Sequence, residues 1–395
     1  MMKYSLSYNT INSDDLDKIH KQIDTLNFTM GKKVTLFEKK FSSILNSNFS
    51  LMVNSGSSAN LIMLAVLSKN YKKLIKEGDN IIVPAVSWST TYFPVDLFGF
   101  KLNFVDIDKN TLNIDPELIE RSIDKKTKAI FAVNLLGNPN NFSKLNQICK
   151  KHNLILLEDN CESLYSQYNN KFTGTFGIMA SFSFFFSHHI NTIEGGMINF
   201  RYKRDYILAK SLRAHGWIRD LENKKSIIKK NKIDEFYENF YFISKGFNLR
   251  PTEINAVLGL NQIKKVKKFI NQRIKNYLFL KDTLKDNKYL NLQKTEYNSS
   301  WFAFAILLSD HAIRQGYNRD TFVKFLKSKK IETRPIVAGN ILKNPVIKEL
   351  NYVNKFSLKN SDFIHYNGFY IGNGHVDLTK EIIYFNKISN EFFLN

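Results

Sequence analysis

Short apolar runs alternate with longer segments of helical spacing through the first half of the chain. Leu51–Val53 reads as a buried strand, and Ser57 to Leu67 carries apolar positions at helical intervals after a Ser-Gly-Ser-Ser turn. Asp79–Pro84 predicts a second strand closed by proline, Leu102–Ile107 a third and Ala129–Leu136 a fourth. Leu154–Asp159 predicts a fifth, ending in two acids, and helical segments such as Asn141 to Lys151 lie between the strands. Strands alternating with helices of this length predict an α/β fold, a parallel or mixed sheet covered on both faces. Ligands on such sheets bind at the carboxyl ends of the strands. Ser55, Gly56, Ser57, Trp88 and Asp159 gather there.

Further on, Leu260, Ile263, Val266, Ile270, Ile274 and Leu278 predict one long amphipathic helix over 260–284, with Lys264, Lys265, Lys267 and Lys268 on its solvated face. Asn223 to Lys232 is polar and lysine-rich, an exposed loop or helix edge. Beyond the long helix, strand-like Trp301–Leu308 and helix-like Asp320–Lys329 suit a smaller α+β domain. The pattern divides the chain into a large domain, 1–262, with an N-terminal arm over 1–30, and a small C-terminal domain, 263–395. At the usual ~100–200 residues per domain, 395 residues accommodate that division.

Composition narrows the function classes. Lys and Arg number 57 against 36 Asp and Glu, a formal +21. That balance raises anionic partners as a class. The excess is lysine scattered among Asn, Ile and Phe, with no helix-turn-helix, zinc-finger or aromatic-basic strand pattern, so no nucleic-acid partner is expected. Two cysteines, Cys149 and Cys161, exclude a disulfide framework, a tetracysteine zinc site and a four-cysteine iron–sulfur cluster; no metal is expected. The N-terminus lacks a signal-type apolar stretch and no membrane-length apolar run occurs, so the expectation is a cytoplasmic protein without a membrane partner.

Single motifs here are ambiguous. Ser55-Gly-Ser-Ser-Ala-Asn60, between a strand and a helix, is either a plain helix cap or a phosphate cradle of free N–H groups. Asp159 is either an N-cap or a carboxylate facing a cationic ring nitrogen. Trp88 is either core or a flat stacking face.

The ordered set is more specific. Thr29-Met-Gly, Asn54-Ser-Gly-Ser-Ser-Ala-Asn, Glu158-Asp-Asn-Cys-Glu162, Ser181-Phe-Ser-Phe, Glu194-Gly-Gly and Gly246-Phe-Asn-Leu-Arg250 together resemble the fold-type I pyridoxal-phosphate enzymes, more narrowly the DegT-type nucleotide-sugar aminotransferases. The resemblance implies an aspartate-aminotransferase-like fold with a mixed, mostly parallel seven-stranded sheet. In aminotransferases of this family the fifth residue after the phosphate-binding serine is the Schiff-base lysine. Counting five from Ser183 gives His188, and no lysine lies between Lys171 and Arg201. That departure resembles the sugar 3-dehydratases of the family, in particular those of the colitose pathway acting on GDP-4-keto-6-deoxymannose.

The resemblance implies His188 as catalytic base and acid, with pyridoxal or pyridoxamine phosphate as cofactor, glutamate as amino donor and ammonia as a product. An imidazole's ordinary pKa, about 6.5, suits proton traffic near working pH. Asp159 is implied on the ring nitrogen, Trp88 on the ring face, and Gly56, Ser57 and Ser183 on the phosphate. Glu162 stands where family aminotransferases carry Gln facing the ring hydroxyl. Asn248 is implied to reach the phosphate of the neighbouring subunit, hence a homodimer with shared sites. His215, Arg219, Arg250 and Arg334 are candidates for substrate contact, since a guanidinium fork suits carboxylate and phosphate. Two alternatives remain open at this point: a sugar 4-aminotransferase using a distant lysine, and a CDP-4-keto-6-deoxyglucose 3-dehydratase working without a cluster.

Overall fold

Seven apolar runs of the first half pair into one sheet because each is too hydrophobic on both faces to meet water, and each is followed by chain able to cover it. The computed structural model describes residues 2–394. The strands are β1 (Phe49–Val53), β2 (Asn80–Pro84), β3 (Lys101–Val105), β4 (Thr127–Val133), β5 (Ile155–Asp159), β6 (Met179–Ser183) and β7 (Gly196–Phe200). An eighth, β11 (Tyr352–Asn354), returns from the C-terminal part to the outer edge beside β3. The sheet order is β1-β7-β6-β5-β4-β2-β3-β11. All neighbours are parallel except those of β7, which runs against both β1 and β6. The sheet thus has one more strand than the resemblance implied. The extra strand is three residues with only a half-buried valine, too short to stand out as an apolar run.

β8 (Leu290–Leu292), β9 (Ala303–Leu308), β10 (Thr333–Arg334) and β12 (Gly368–Gly372) form a second, antiparallel sheet in the order β8-β9-β12-β10. Its core includes Trp301, Phe304, Phe322, Phe369 and Phe385. Tyr4 is fully buried in that same core, its hydroxyl donating to the Gly372 carbonyl at 3.0 Å.

The long helix expected over 260–284 is two helices, Glu253–Gln262 and Val266–Thr283, with a break at 263–265. Buried Asp15 spans the break, accepting from Asn261 Nδ2 (2.7 Å), Gln262 Nε2 (3.0 Å) and Lys265 Nζ (3.0 Å). Ile263 and Val266, on either side, are both buried in one cluster. Spacing alone therefore continued across a point where the backbone turns. The segment 223–232 resolves to a helix, Lys224–Asn231, with no buried residue. The fourth strand ends at Val133, and Leu135–Gly137 forms a 3-10 turn with Leu136 in the left-handed region (φ 52°).

Candidate active site

β7 runs against β1 and β6, so its N-terminal end lies between their C-terminal ends, on the same edge of the sheet as the C-terminal ends of β5, β4 and β2. Residues at and just past those ends line one cavity of about 540 Å³: Ser55 to Ser57, Ser87 and Trp88, Leu135, Asp159 and Glu162, Ser183, Phe185, Ser187 and His188, and Glu194. Phe302, Arg334, Val337 and Tyr370, on or beside strands of the second sheet, close it.

The helix Gly56–Asn70 opens on this cavity. Ser55 caps it, its hydroxyl taking the Ser58 N–H at 3.0 Å, which leaves the N–H groups of Gly56 and Ser57 free. A Cβ on Gly56 would lie 2.7 Å from Ser183 Cβ and 2.9 Å from Cys161 Sγ, so only glycine admits the close approach of β6. Ser57 and Thr90 pair their hydroxyls at 2.9 Å at the cavity wall.

Asp159 ends β5 with its carboxylate buried. It accepts from Asn60 Nδ2 (2.9 Å), Thr91 Oγ1 (2.7 Å) and the Cys161 N–H (3.2 Å), all neutral donors, so its charge stands uncompensated by any cation of the described residues. Trp88 lines the same space with 58% of its surface bare. Glu162 takes the Leu136 N–H at 2.9 Å. Burial first, and the Asp159 charge after it, push its carboxyl up to about 7 against the pull of that N–H.

His188 sits on the turn between β6 and β7. Its Nδ1 is buried without a partner among the described residues, which leaves Nε2 as the nitrogen open to the cavity. The ring lies 5.0 Å from Phe302, edge to face. Burial, and then the Arg273 guanidinium, hold the imidazole down to about 3, far from the near-neutral value of a free imidazole. The group is therefore a neutral base at working pH. No lysine lines the cavity among the described residues.

These features fit a pyridoxal phosphate. The free N–H pair and hydroxyls suit a doubly charged phosphate, the unpaired Asp159 a ring cation, and the bare Trp88 face a flat ring. The decisive observation is that the model of the DegT/DnrJ/EryC1/StrS aminotransferase family matches residues 9–383. The chain belongs to that family.

Within the DegT family it is 43% identical, over 98% of this chain and 100% of the relative, to GDP-4-keto-6-deoxy-D-mannose 3-dehydratase of Escherichia coli O55:H7. Two crystal structures of GDP-4-keto-6-deoxymannose 3-dehydratase superpose with a TM-score of 0.92 at 42% identity, covering 98% of this chain and all of theirs. One is an H188N variant with bound GDP-perosamine, and the other holds a trapped PLP–glutamate geminal diamine. The chain is a PLP-dependent enzyme of this family.

The cavity gathers Gly56, Ser57, Trp88, Asp159, Glu162, Ser183, His188 and Arg334 from the residues singled out in the sequence. It does not gather Asn248, His215, Arg219 or Arg250. These form a separate cluster: Arg250 Nε donates to Asn248 Oδ1 at 3.0 Å, and both guanidinium groups lie over Trp217, at 5.3 Å for Arg219 and 5.7 Å for Arg250. The Trp217 ring meets His215 at 5.1 Å. Gly31 of the Thr29-Met-Gly motif lies away from the cavity and donates to buried Glu253 at 3.0 Å. Asn60 was missed although it stands in the Ser55–Asn60 motif quoted above, and Thr90 and Thr91 were missed although they follow Trp88 by two and three residues. Phe302 and Tyr370 carried no local signal, because they arrive from the other sheet.

Proposed function

We propose that this chain removes the C3 hydroxyl of GDP-4-keto-6-deoxymannose, taking electrons from glutamate through pyridoxamine phosphate. The observation that carries the reading is the cavity's base: an imidazole in a DegT-type site with no lysine among its described lining residues. The net change balances as keto sugar plus glutamate giving 3-deoxy keto sugar, 2-oxoglutarate and ammonia.

When bound, the cofactor supplies an electron sink joined through its amine to the sugar's keto carbon. Asp159 keeps the ring nitrogen protonated, and Trp88 covers the ring. Gly56, Ser57 and Ser183 hold the phosphate. With the cofactor bound, His188 Nε2 would be the group that moves protons, taking one from carbon and giving one to the departing C3 hydroxyl. Glu162 is raised to about 7, so near neutrality a large fraction of it carries a proton and donates a hydrogen bond where a Gln amide would. Arg334 offers its fork to the glutamate carboxylate.

Asn248, Arg250, Arg219 and His215 serve the neighbouring site of a homodimer. Their support is position: His215 and Arg219 precede, and Asn248 and Arg250 follow, a segment with Phe236 at 81% and Phe240 at 66% exposure, large apolar area that a second copy would cover. No helix is long and apolar enough to cross a membrane among the described residues. An enzyme drawing on glutamate and a nucleotide sugar works in the cytoplasm.

The test incubates the purified chain with pyridoxal phosphate, glutamate and GDP-4-keto-6-deoxymannose. The expected result is 2-oxoglutarate, free ammonia and a sugar product lighter by one oxygen in mass spectrometry. A 4-amino sugar, or a pyridoxyl-lysine peptide after borohydride treatment, would overturn the assignment in favour of transamination.

A further inference from the structure

His188 and its neighbour His189 both pack on one ring. Phe302 lies 5.0 Å from the first imidazole and 5.8 Å from the second, and His189 Nε2 meets the Ser300 carbonyl at 3.2 Å. The two histidines thus hold the 300–302 segment from the cavity side. From behind, Arg273 on the helix Val266–Thr283 holds the same segment. Its Nη1 donates to the carbonyls of Phe302 (2.8 Å), Asn373 (3.2 Å) and Trp301 (3.4 Å). One turn along that helix, Tyr277 stacks on Trp301 with ring centroids 3.3 Å apart, and Trp301 adopts a left-handed backbone (φ 46°) that needs such support.

Arg273 is 3% exposed, pairs with no acid among the described residues, and leaves its Nε without an acceptor. A bare buried cation is costly. Backbone carbonyls alone compensate it here, and two of the three, those of Trp301 and Phe302, belong to the segment that seats the catalytic ring.

We propose that Arg273, which lies outside the cavity, is a positioning residue for His188: it fixes the Trp301–Phe302 segment and thereby the Phe302 face on which the imidazole rests. The inference rests on the dehydratase reading for what His188 does, and on this chain's own packing for how the ring is placed.

The charge has a second effect. Facing His188 are His189 on its own turn, Arg273 behind Phe302, and Asp159, Glu162, Glu194, Arg334 and Tyr370 around the cavity. After burial, Arg273 is the group that disfavours a charged His188. A proton taken up by the imidazole is therefore driven off again, which suits a group that removes a proton from carbon and passes one to oxygen.

The experiment uses the full chain with three variants. Arg273→Lys keeps the charge but can reach only part of the carbonyl set. Arg273→Met removes the charge, and Phe302→Leu removes the seat while leaving Arg273 in place. For Phe302→Leu and Arg273→Lys, kcat should fall about 10- to 100-fold with the KM for the sugar changed less than about threefold, as misplacement of a catalytic group predicts. In Arg273→Met the His188 titration, followed by NMR on histidine-labelled protein and assigned by its loss in His188→Asn, should rise by about one pH unit. In Arg273→Lys it should stay. The NMR reading needs no turnover, so it separates failure of this proposal from failure of the dehydratase reading. An unmoved titration in folded Arg273→Met would overturn the electrostatic part. Unchanged kcat in Phe302→Leu and Arg273→Lys would overturn the positioning, and these two decide the matter if Arg273→Met does not fold.

Discussion

Two ionisable side chains of the cavity, Glu162 and His188, are pushed away from their ordinary pKa values by surroundings that the sequence shows only in part. Asp159 could be read as a strand-end acid, but its neutral donors come from Asn60, Thr91, Cys161 and Ser181, most of them far away in sequence. His188 was legible by counting from Ser183, whereas its depressed pKa was not, because Arg273 and Phe302 come from the other end of the chain. Glu162 gives the clearest test at this scale. Its carboxyl is raised from 4.5 to about 7. An acid raised by folding favours the folded state while protonated, so that contribution is complete below pH 4.5 and is lost as pH rises through about 7. Glu162→Gln mimics the protonated form. The variant, free of cofactor, should melt close to wild type at pH 4.5 and progressively above it between pH 5 and 8. Calorimetry across that range checks this, and a constant gap would argue against it.

Elements were read well where hydrophobicity signals one thing and poorly where it signals two. Five strands of the large sheet, β1 to β5, emerged as apolar runs because both of their faces are buried, whereas β6, β7 and β11 did not. The 263–265 break did not, since Ile263 and Val266 keep helical spacing on either side of it. The anchoring of these helices is also non-local. Buried Glu253 accepts N–H groups from Gly31 (3.0 Å), Lys33 (2.9 Å) and Val34 (2.9 Å), capping the helix Lys32–Leu45 from another helix. The two helices touch at Gly259, where an added Cβ would lie 2.5 Å from the Phe37 ring. Gly259→Ala should therefore cost about 1–3 kcal/mol of stability by overpacking, despite alanine's better helix propensity. Urea unfolding reads it, and a stabilised variant would show that Phe37 can move aside freely.

At the scale of the whole molecule, the residues singled out in the sequence fall into two groups that one chain keeps apart. His188, Asp159 and Trp88 share the cavity; Asn248, Arg250 and Arg219 gather around Trp217 beyond it. If each active site draws one group from either protomer, two different dead variants must rescue each other. Take His188→Asn and the double variant Asn248→Ala, Arg250→Ala, each inactive alone. In a mixed two-fold dimer, one site receives both lesions and the other receives none. After unfolding and refolding an equimolar mixture, half the dimers are mixed and half their sites intact, so activity should return to roughly a quarter of wild type. Sedimentation velocity confirms that the species is a dimer, and Phe240→Glu, placed in the exposed aromatic segment, should shift it to monomer and abolish the rescue. If the Asn248 cluster served its own chain, every mixed dimer would carry one lesion in each site. The mixture would then stay as inactive as its components, and the two groups would need another reason for standing apart.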